Sequence, residues 1–155
     1  MALALLSKGH EVRGLTRSKK SANELDSLGI IPVLGELDNL DILKSEAFRA
    51  DAVINTASAD HLDAVLALLD GLTINHQKFI HTSGSSIIGD DARGNQLSSS
   101  IFKDDTPLRV DVRKQARRNI DLKVLEAASK GIQTCVIIPS LIYGYGLGIQ
   151  KNSIQ

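Results

Sequence analysis

The sequence predicts an α/β fold built on a doubly wound, parallel sheet. Helix and strand signals alternate along the whole chain, and the strand candidates "AVI", "CVII" and "IPVL" are continuously apolar instead of alternating. Strands of that kind are covered on both faces, as in parallel sheets wrapped by helices. A third sign is Leu62, Val65, Leu66 and Leu69, spaced i, i+3, i+4, i+7, the pattern of an amphipathic helix docked on a sheet. Pattern alone fits a flavodoxin-like doubly wound domain equally well.

The elements follow in order. Ala2, Leu3, Ala4, Leu5 and Leu6 are strong helix formers, and Gly9 is a natural stop. Residues 11–16 read as a strand. Ser21-x-x-Glu24 reads as a capping box opening a helix that Gly29 ends, and residues 30–34 as the next strand. Asp38 and Asp41 open a helix with Leu40, Leu43 and Ala47 on one face, followed by a short strand over 51–55. After the Leu62–Leu69 pattern, Lys78–Thr82 gives a further strand. A polar loop over about 84–107, with Ser98, Ser99 and Ser100 inside it, is long enough to be functional or mobile. The last helix places Ile120, Val124, Ala127 and Ala128 inward and ends near Gly131, before a strand over 134–138.

The 155 residues make one domain, 1–155, and a 43% hydrophobic content is enough for a core. Eighteen basic and eighteen acidic side chains cancel, so no global field attracts nucleic acid or an anionic membrane. The apolar runs fall far short of the ~18 residues of a membrane span, and the opening stretch lacks the charged start of a secretory signal. A cytoplasmic protein is expected. Cys135 stands alone, which excludes a disulfide framework and a thiolate zinc site; among Val136, Ile137 and Ile138 it is expected to be buried. His61, His76 and His81 have no metal-ligand spacing and read as loop or strand-end histidines.

Four stretches in order, "GHEVRGLTRS", "GELDNLDIL", "ADAVINTAS" with "KFIHTSGSSIIGD", and "IIPSLIYGYG", resemble the extended and atypical short-chain dehydrogenase/reductases, a superfamily that includes NAD-dependent epimerases/dehydratases and NmrA-like NADP-binding proteins. The resemblance implies a Rossmann-like fold. It also accounts for the opening "MALALLSKGHEV", which begins inside a helix: members carry a strand and a glycine-rich turn before it, holding the cofactor pyrophosphate. In the strand order 3-2-1-4-5-6 that strand is central. The expectation is therefore an incomplete domain, lacking its first, central strand and its C-terminal substrate part. The strands over 11–16 and 51–55 should then not pair with each other.

The resemblance also implies a site. Arg17, at the end of the first visible strand, stands where the adenosine ribose lies, and arginine there suits the 2′-phosphate of NADP over the 2′-hydroxyl of NAD. Glu36 and Leu37 fall where members touch the adenine edge, with Glu in place of the usual Asp. Thr56, Ala57 and Ser58 end a strand where small residues let the cofactor approach; Ser58 reads equally as a helix N-cap. Thr82 ends the next strand. Members place a substrate-orienting hydroxyl at the register of Gly84, leaving Ser83, then Ser85, as candidates. The Y-x-x-x-K acid–base pair is absent, and Arg113 and Arg117 occupy those positions. Arginine stays protonated, so it clamps anions and does not shuttle protons. On a helix Arg109, Arg113 and Arg117 would form one stripe. Pro139, Ser140, Leu141 and Ile142, before the turn at Tyr143 and Gly144, match the backbone that meets the nicotinamide carboxamide.

Three functions are consistent with these residues. One is an NADP- or NAD-dependent oxidoreductase or epimerase acting on a carbonyl, aldehyde or sugar-nucleotide substrate. Another is a non-catalytic dinucleotide sensor, favoured by the missing pair; whichever holds, a homodimer through the last helices is the assembly to look for. The third is an inert fragment.

Overall fold

A computed structural model describes residues 1–73, 77–89, 95–96, 100–140, 143–145 and 152–154, the last two segments as backbone. Helices α1 (Ala2–Leu6), α2 (Lys19–Ser27), α3 (Leu40–Arg49), α4 (Leu62–Gly71) and α5 (Gln115–Glu126) alternate with strands β1 (Arg13–Thr16), β2 (Ile31–Leu34), β3 (Ala52–Asn55), β4 (Lys78–Thr82) and β5 (Gln133–Ile137). Two short strands, β6 (Tyr143–Tyr145) and β7 (Asn152–Ile154), form a separate antiparallel ribbon.

The parallel strands form two sheets. β1 pairs with β2, in register from Arg13 with Ile31 to Thr16 with Leu34. β3, β4 and β5 form the other in that order. Among the described residues β1 pairs only with β2 and β3 only with β4, so the ladder is interrupted between β1 and β3. These are the two flanks of the order 3-2-1-4-5-6, with the place of the first strand between them.

Helix α3 joins the halves. Its Glu46 accepts two hydrogen bonds from Arg13 of β1, at 2.6 and 3.2 Å. On the other side α3 lies hard against α4: a Cβ on Gly71 would collide with the carbonyl oxygen of Lys44 and stand 2.7 Å from the Cβ of Ala47. The end of α3 is closed by buried Gln77, whose amide donates to the carbonyl of Ala50 at 2.8 Å and approaches those of Ala47 and Phe48 at 3.4 Å. A side chain thus satisfies acceptors that a helix terminus leaves orphaned.

The core lies between the helices and one face of β3-β4-β5. Val65, Phe79 and Val124 are wholly buried, with Ala47, Leu72, Ile120, Ala127 and Ile132 around them. Among the described residues the opposite face of these three strands is the more accessible, with Cys135 and Ile137 exposed and Ile54 and Ile80 half-buried, whereas β1 has α2 beside Gly14 on one face and α3 near Leu15 on the other. Cys135 is exposed, not buried, because Thr134 and Val136 take the inward positions on β5 while Gln133, Cys135 and Ile137 point away. On α4 the inward set is Val65 with Leu68 and Leu69, whereas Leu62 and Leu66 are exposed. Ala128 is likewise exposed: the chain tightens into a 3₁₀ turn over Ala127–Lys130 and stops at Gly131, in the left-handed conformation with φ 88°.

The cap of α2 is also displaced. Ser18, in extended conformation, accepts from the backbone N–H of Ser21 at 3.1 Å, so the N-cap is Ser18 and Ser21 belongs to the first turn. Among the described residues no helix is long and apolar enough to cross a membrane.

Candidate functional site

Parallel strands bring their carboxyl ends to one edge, and side-chain contacts between loops tie the ends of β2, β3 and β4 together there. After β2, Asn39 accepts from the backbone N–H of Glu36 at 2.8 Å and folds the turn that holds Glu36 and Leu37. Asp38 of that turn meets His61 Nε2 at 3.0 Å. His61 is the N-cap of α4, its Nδ1 accepting from the backbone N–H of Ala64 at 3.2 Å. Ser58 is therefore not the helix cap; its hydroxyl accepts from the N–H of Asp60 and shapes the preceding loop.

Arg117 closes the next link. Its guanidinium forks onto Asp60, with Nε to Oδ1 at 2.7 Å and Nη2 to Oδ2 at 2.5 Å, and Nη1 donates to Ser86 Oγ at 2.8 Å. That fork holds the Asp60 carboxyl below its usual range, chiefly by hydrogen bonding, and raises the arginine further. A Cβ on Gly84 would lie 2.9 Å from Arg117 Nη1. The guanidinium thus fills the space that a side chain at position 84 would need. Ser86 accepts a charged hydrogen bond there and keeps its own O–H to donate.

Arg113 behaves differently. It lies in the 3₁₀ turn Val112–Lys114 before α5, and its Nε and Nη2 both engage Asp111, at 2.8 and 3.0 Å. The bidentate contact and the Arg113 backbone N–H hold the Asp111 carboxyl down at about 2. Arg109 precedes that turn, so the expected stripe of three arginines on one helix does not form. Arg17, exposed after β1, has no carboxylate partner among the described residues, in contrast to Arg13, Arg113 and Arg117. The first turn of α2 carries Lys19 and Lys20 and no acidic residue, so this strand end is locally basic.

Of the remaining candidates, Thr56 and Ala57 are exposed at the end of β3, while Ser58, Thr82 and Ser85 are half-buried. Pro139 and Ser140 follow β5; Leu141 and Ile142 lie outside the described residues, as does His76. Ser83 is buried, its N–H donating to the carbonyl of Ile137 and its hydroxyl to Asp121 Oδ2 at 3.1 Å. Its proton is committed inward, so of the two candidate serines half-buried Ser85 is the more accessible.

Sequence reasoning missed four residues beneath this edge: Asn55, His81, Asp121 and Ser86. Asn55 is buried at the tip of β3; its Oδ1 accepts from Ala57 N–H and its Nδ2 donates to the carbonyl of Ser58, both at 3.2 Å, so the 56–58 turn wraps around its amide. A signal for His81 existed, since Phe79 and His81 alternate inward on β4. No group of metal ligands is present among the described residues.

An open groove between α3, α4 and α5, lined by Leu40, Lys44, Ala67, Asp70 and Lys130, lies on the helical face of the molecule.

Comparison with known proteins now bears on this edge. No family model matches the chain. Its backbone superposes on a nucleoside-diphosphate-sugar epimerase from Pseudomonas aeruginosa with a TM-score of 0.61 and 19% identity, over 92% of this chain and 48% of that one. A thiolation-reductase di-domain from an archaeal non-ribosomal peptide synthetase gives a TM-score of 0.63 and 20% identity, over 92% and 48%. The fold is Rossmann-like. In sequence the chain is 34% identical to the oxidase ucsJ of Acremonium sp over 96% of its own length and 47% of the relative's. It is 27% identical to a 4-hydroxy-2-methyl-3-oxo-4-farnesyl-3,4-dihydroquinoline-1-oxide ketoreductase of Stigmatella aurantiaca, over 91% and 46%. The chain spans about half the length of the curated relatives it matches. The likeness to solved structures carries the fold, and the relatives in sequence are named as an oxidase and a ketoreductase.

Proposed function

We propose that this chain is the nicotinamide-dinucleotide-binding part of an oxidoreductase or epimerase-like protein, with NADP preferred over NAD. The observation that carries the reading is the carboxyl edge of the split parallel sheet. There the exposed Arg17 has no carboxylate partner among the described residues, while the neighbouring strand ends offer small residues at Thr56, Ala57 and Ser58.

The residues fit such a cofactor. Arg17, with Lys19 and Lys20 beside it, would hold the ribose phosphate; the turn at Glu36 and Leu37 would border the adenine; Thr56, Ala57, Ser58 and Thr82 would let the cofactor approach closely. Pro139 and Ser140, continuing into Leu141 and Ile142, would meet the nicotinamide end. When bound, the dinucleotide supplies the hydride chemistry, transferring to or from a carbonyl, aldehyde or sugar-nucleotide carbon. The chain's own contribution is orientation: half-buried Ser85, and Ser86, polarised by Arg117, would offer hydroxyl donors to a substrate oxygen.

A non-catalytic dinucleotide-binding role is the second reading. It is favoured by the arginines at the Tyr–Lys positions, both engaged with carboxylates, Arg113 with Asp111 and Arg117 with Asp60. Neither can pass a proton near neutral pH.

Titration of the chain with NADPH and NADH, followed by cofactor fluorescence, tests the reading. A charge-assisted hydrogen bond to phosphate contributes about 1.5–3 kcal/mol, so Arg17→Ala is expected to weaken NADPH about ten- to a hundredfold and to leave NADH unchanged. Equal loss for both cofactors would remove the NADP assignment, and no binding of either would remove the cofactor reading for this chain.

A further inference from the structure

We propose that Asn55, His81, Asp121 and Ser83 form one buried polar relay in which His81 and Asp121 are positioning residues, setting the 56–58 turn and Ser83 through a donor and an acceptor that face each other just out of hydrogen-bond reach. Its consequence for ligand binding rests on the dinucleotide reading above; the relay itself does not.

The proton positions follow from the contacts. Ala57 N–H fixes the Asn55 oxygen and the Ser58 carbonyl fixes its NH₂ group, so the amide has one orientation. Its second N–H points at His81 Nδ1, 3.1 Å away. Nδ1 therefore accepts, and the imidazole proton sits on Nε2. Nε2 faces Asp121 Oδ1 at 3.8 Å, too long for a hydrogen bond. Both atoms are buried and lack a hydrogen-bond partner among the described residues, while the other carboxylate oxygen is held by Ser83.

An unpaired buried donor opposite an unpaired buried acceptor is costly, which favours approach of α5 to β4. That approach would draw Ser83 through Asp121 and the 56–58 turn through Asn55. Arg117 stands one helical turn before Asp121 on the same face of α5, so the Asp60 and Ser86 contacts would feel it too. The relay couples one helix to two strand ends.

Charge around the pair is sparse. Among the described residues Arg117 and Arg118 act on Asp121 from its own helix, His81 faces it from β4, and β3 contributes only the neutral Asn55 amide. Burial is the main cause of both shifts: it lowers His81 against the pull of Asp121, and raises Asp121 against Ser83, His81 and the arginines. The signs are opposite. For His81, the unfolded chain takes up a proton below 6.5 before the folded one does, so stability falls as pH drops below that value. For Asp121, the folded chain keeps its proton above 3.8, so stability falls as pH rises from there.

The test uses the whole ligand-free chain, labelled with ¹⁵N. Long-range ¹H–¹⁵N correlation is expected to find His81 at neutral pH with a pyridine-type Nδ1 and a pyrrole-type Nε2, and to find it still neutral just below 6.5. Asp121→Asn keeps the shape and hydrogen-bonding capacity. It should preserve the tautomer, shift the amide resonances of Ser83, Ala57 and Ser58, and abolish the loss of stability above 3.8. His81→Gln should shift the same amides and abolish the loss on the acid side; if it does not fold, Asp121→Asn carries the test. A proton on Nδ1, an imidazolium at neutral pH, or an Asp121→Asn chain with unmoved amides and an unchanged pH profile would overturn the relay. Failure of NADPH to bind leaves all of these readouts intact and counts only against the dinucleotide reading.

Discussion

Phe79→Ala is expected to destabilise the chain by about 3–5 kcal/mol, the cost of emptying a fully buried aromatic site whose surroundings relax only in part. Phe79 is wholly buried at the centre of the core, between the helices and the β3-β4-β5 sheet. Its ring also lies nearly parallel to that of His81, with centroids 6.3 Å apart and planes 11° from each other. The substitution should therefore disturb the strand end as well as the core. Against a typical folding stability of about 5–15 kcal/mol such a loss is a large share. Urea denaturation followed by circular dichroism checks it; a loss below about 1 kcal/mol would mean that β4 is not central to the core.

Gly71→Val is expected to cost about 1–3 kcal/mol or more, for the opposite reason. The new side chain would overlap the backbone of Lys44 and press on Ala47, both in α3. Backbone cannot rotate out of the way as a side-chain tip can, so α3 and α4 must separate. Because α3 also holds β1 through Glu46 and Arg13, the β1-β2 sheet should loosen together with the helix pair. Amide hydrogen exchange would detect that as faster exchange at Thr16 and Val33. Unchanged protection there, with the core destabilised, would show that the two sheets are held together by something other than α3.

The sequence made the alternation of elements legible because it is a local property: apolar spacing, helix stops at Gly29 and Gly131, and strand composition suffice. The strand order was legible only through the resemblance, and it accounts for β1 and β3 standing without each other as partners. What the sequence left hidden depends on contacts between distant residues. Cys135 is as apolar as its neighbours, and only the absence of a covering element on its face, among the described residues, leaves it exposed. Ser18 and Ser21 are equally good caps on paper; the extended conformation of Ser18 decides between them. Gly71 looks like any helix-end glycine until α3 is placed against it. The site divides in the same way. Arg17 and the 56–58 turn are candidates by position along the chain, whereas Asn55, His81 and Asp121 become a unit only when β3, β4 and α5 meet.

The central claim is that the carboxyl edge of the split sheet binds a nicotinamide dinucleotide, and the most direct measurement is a map of amide resonances perturbed by NADPH on the ¹⁵N-labelled chain. The account predicts shifts at Arg17, Glu36, Ala57, Ser58, Thr82 and Ser140, with Lys44, Ala67, Asp70 and Lys130 of the helical groove unmoved. Shifts confined to that groove, or none at the strand ends at saturating NADPH, would contradict it.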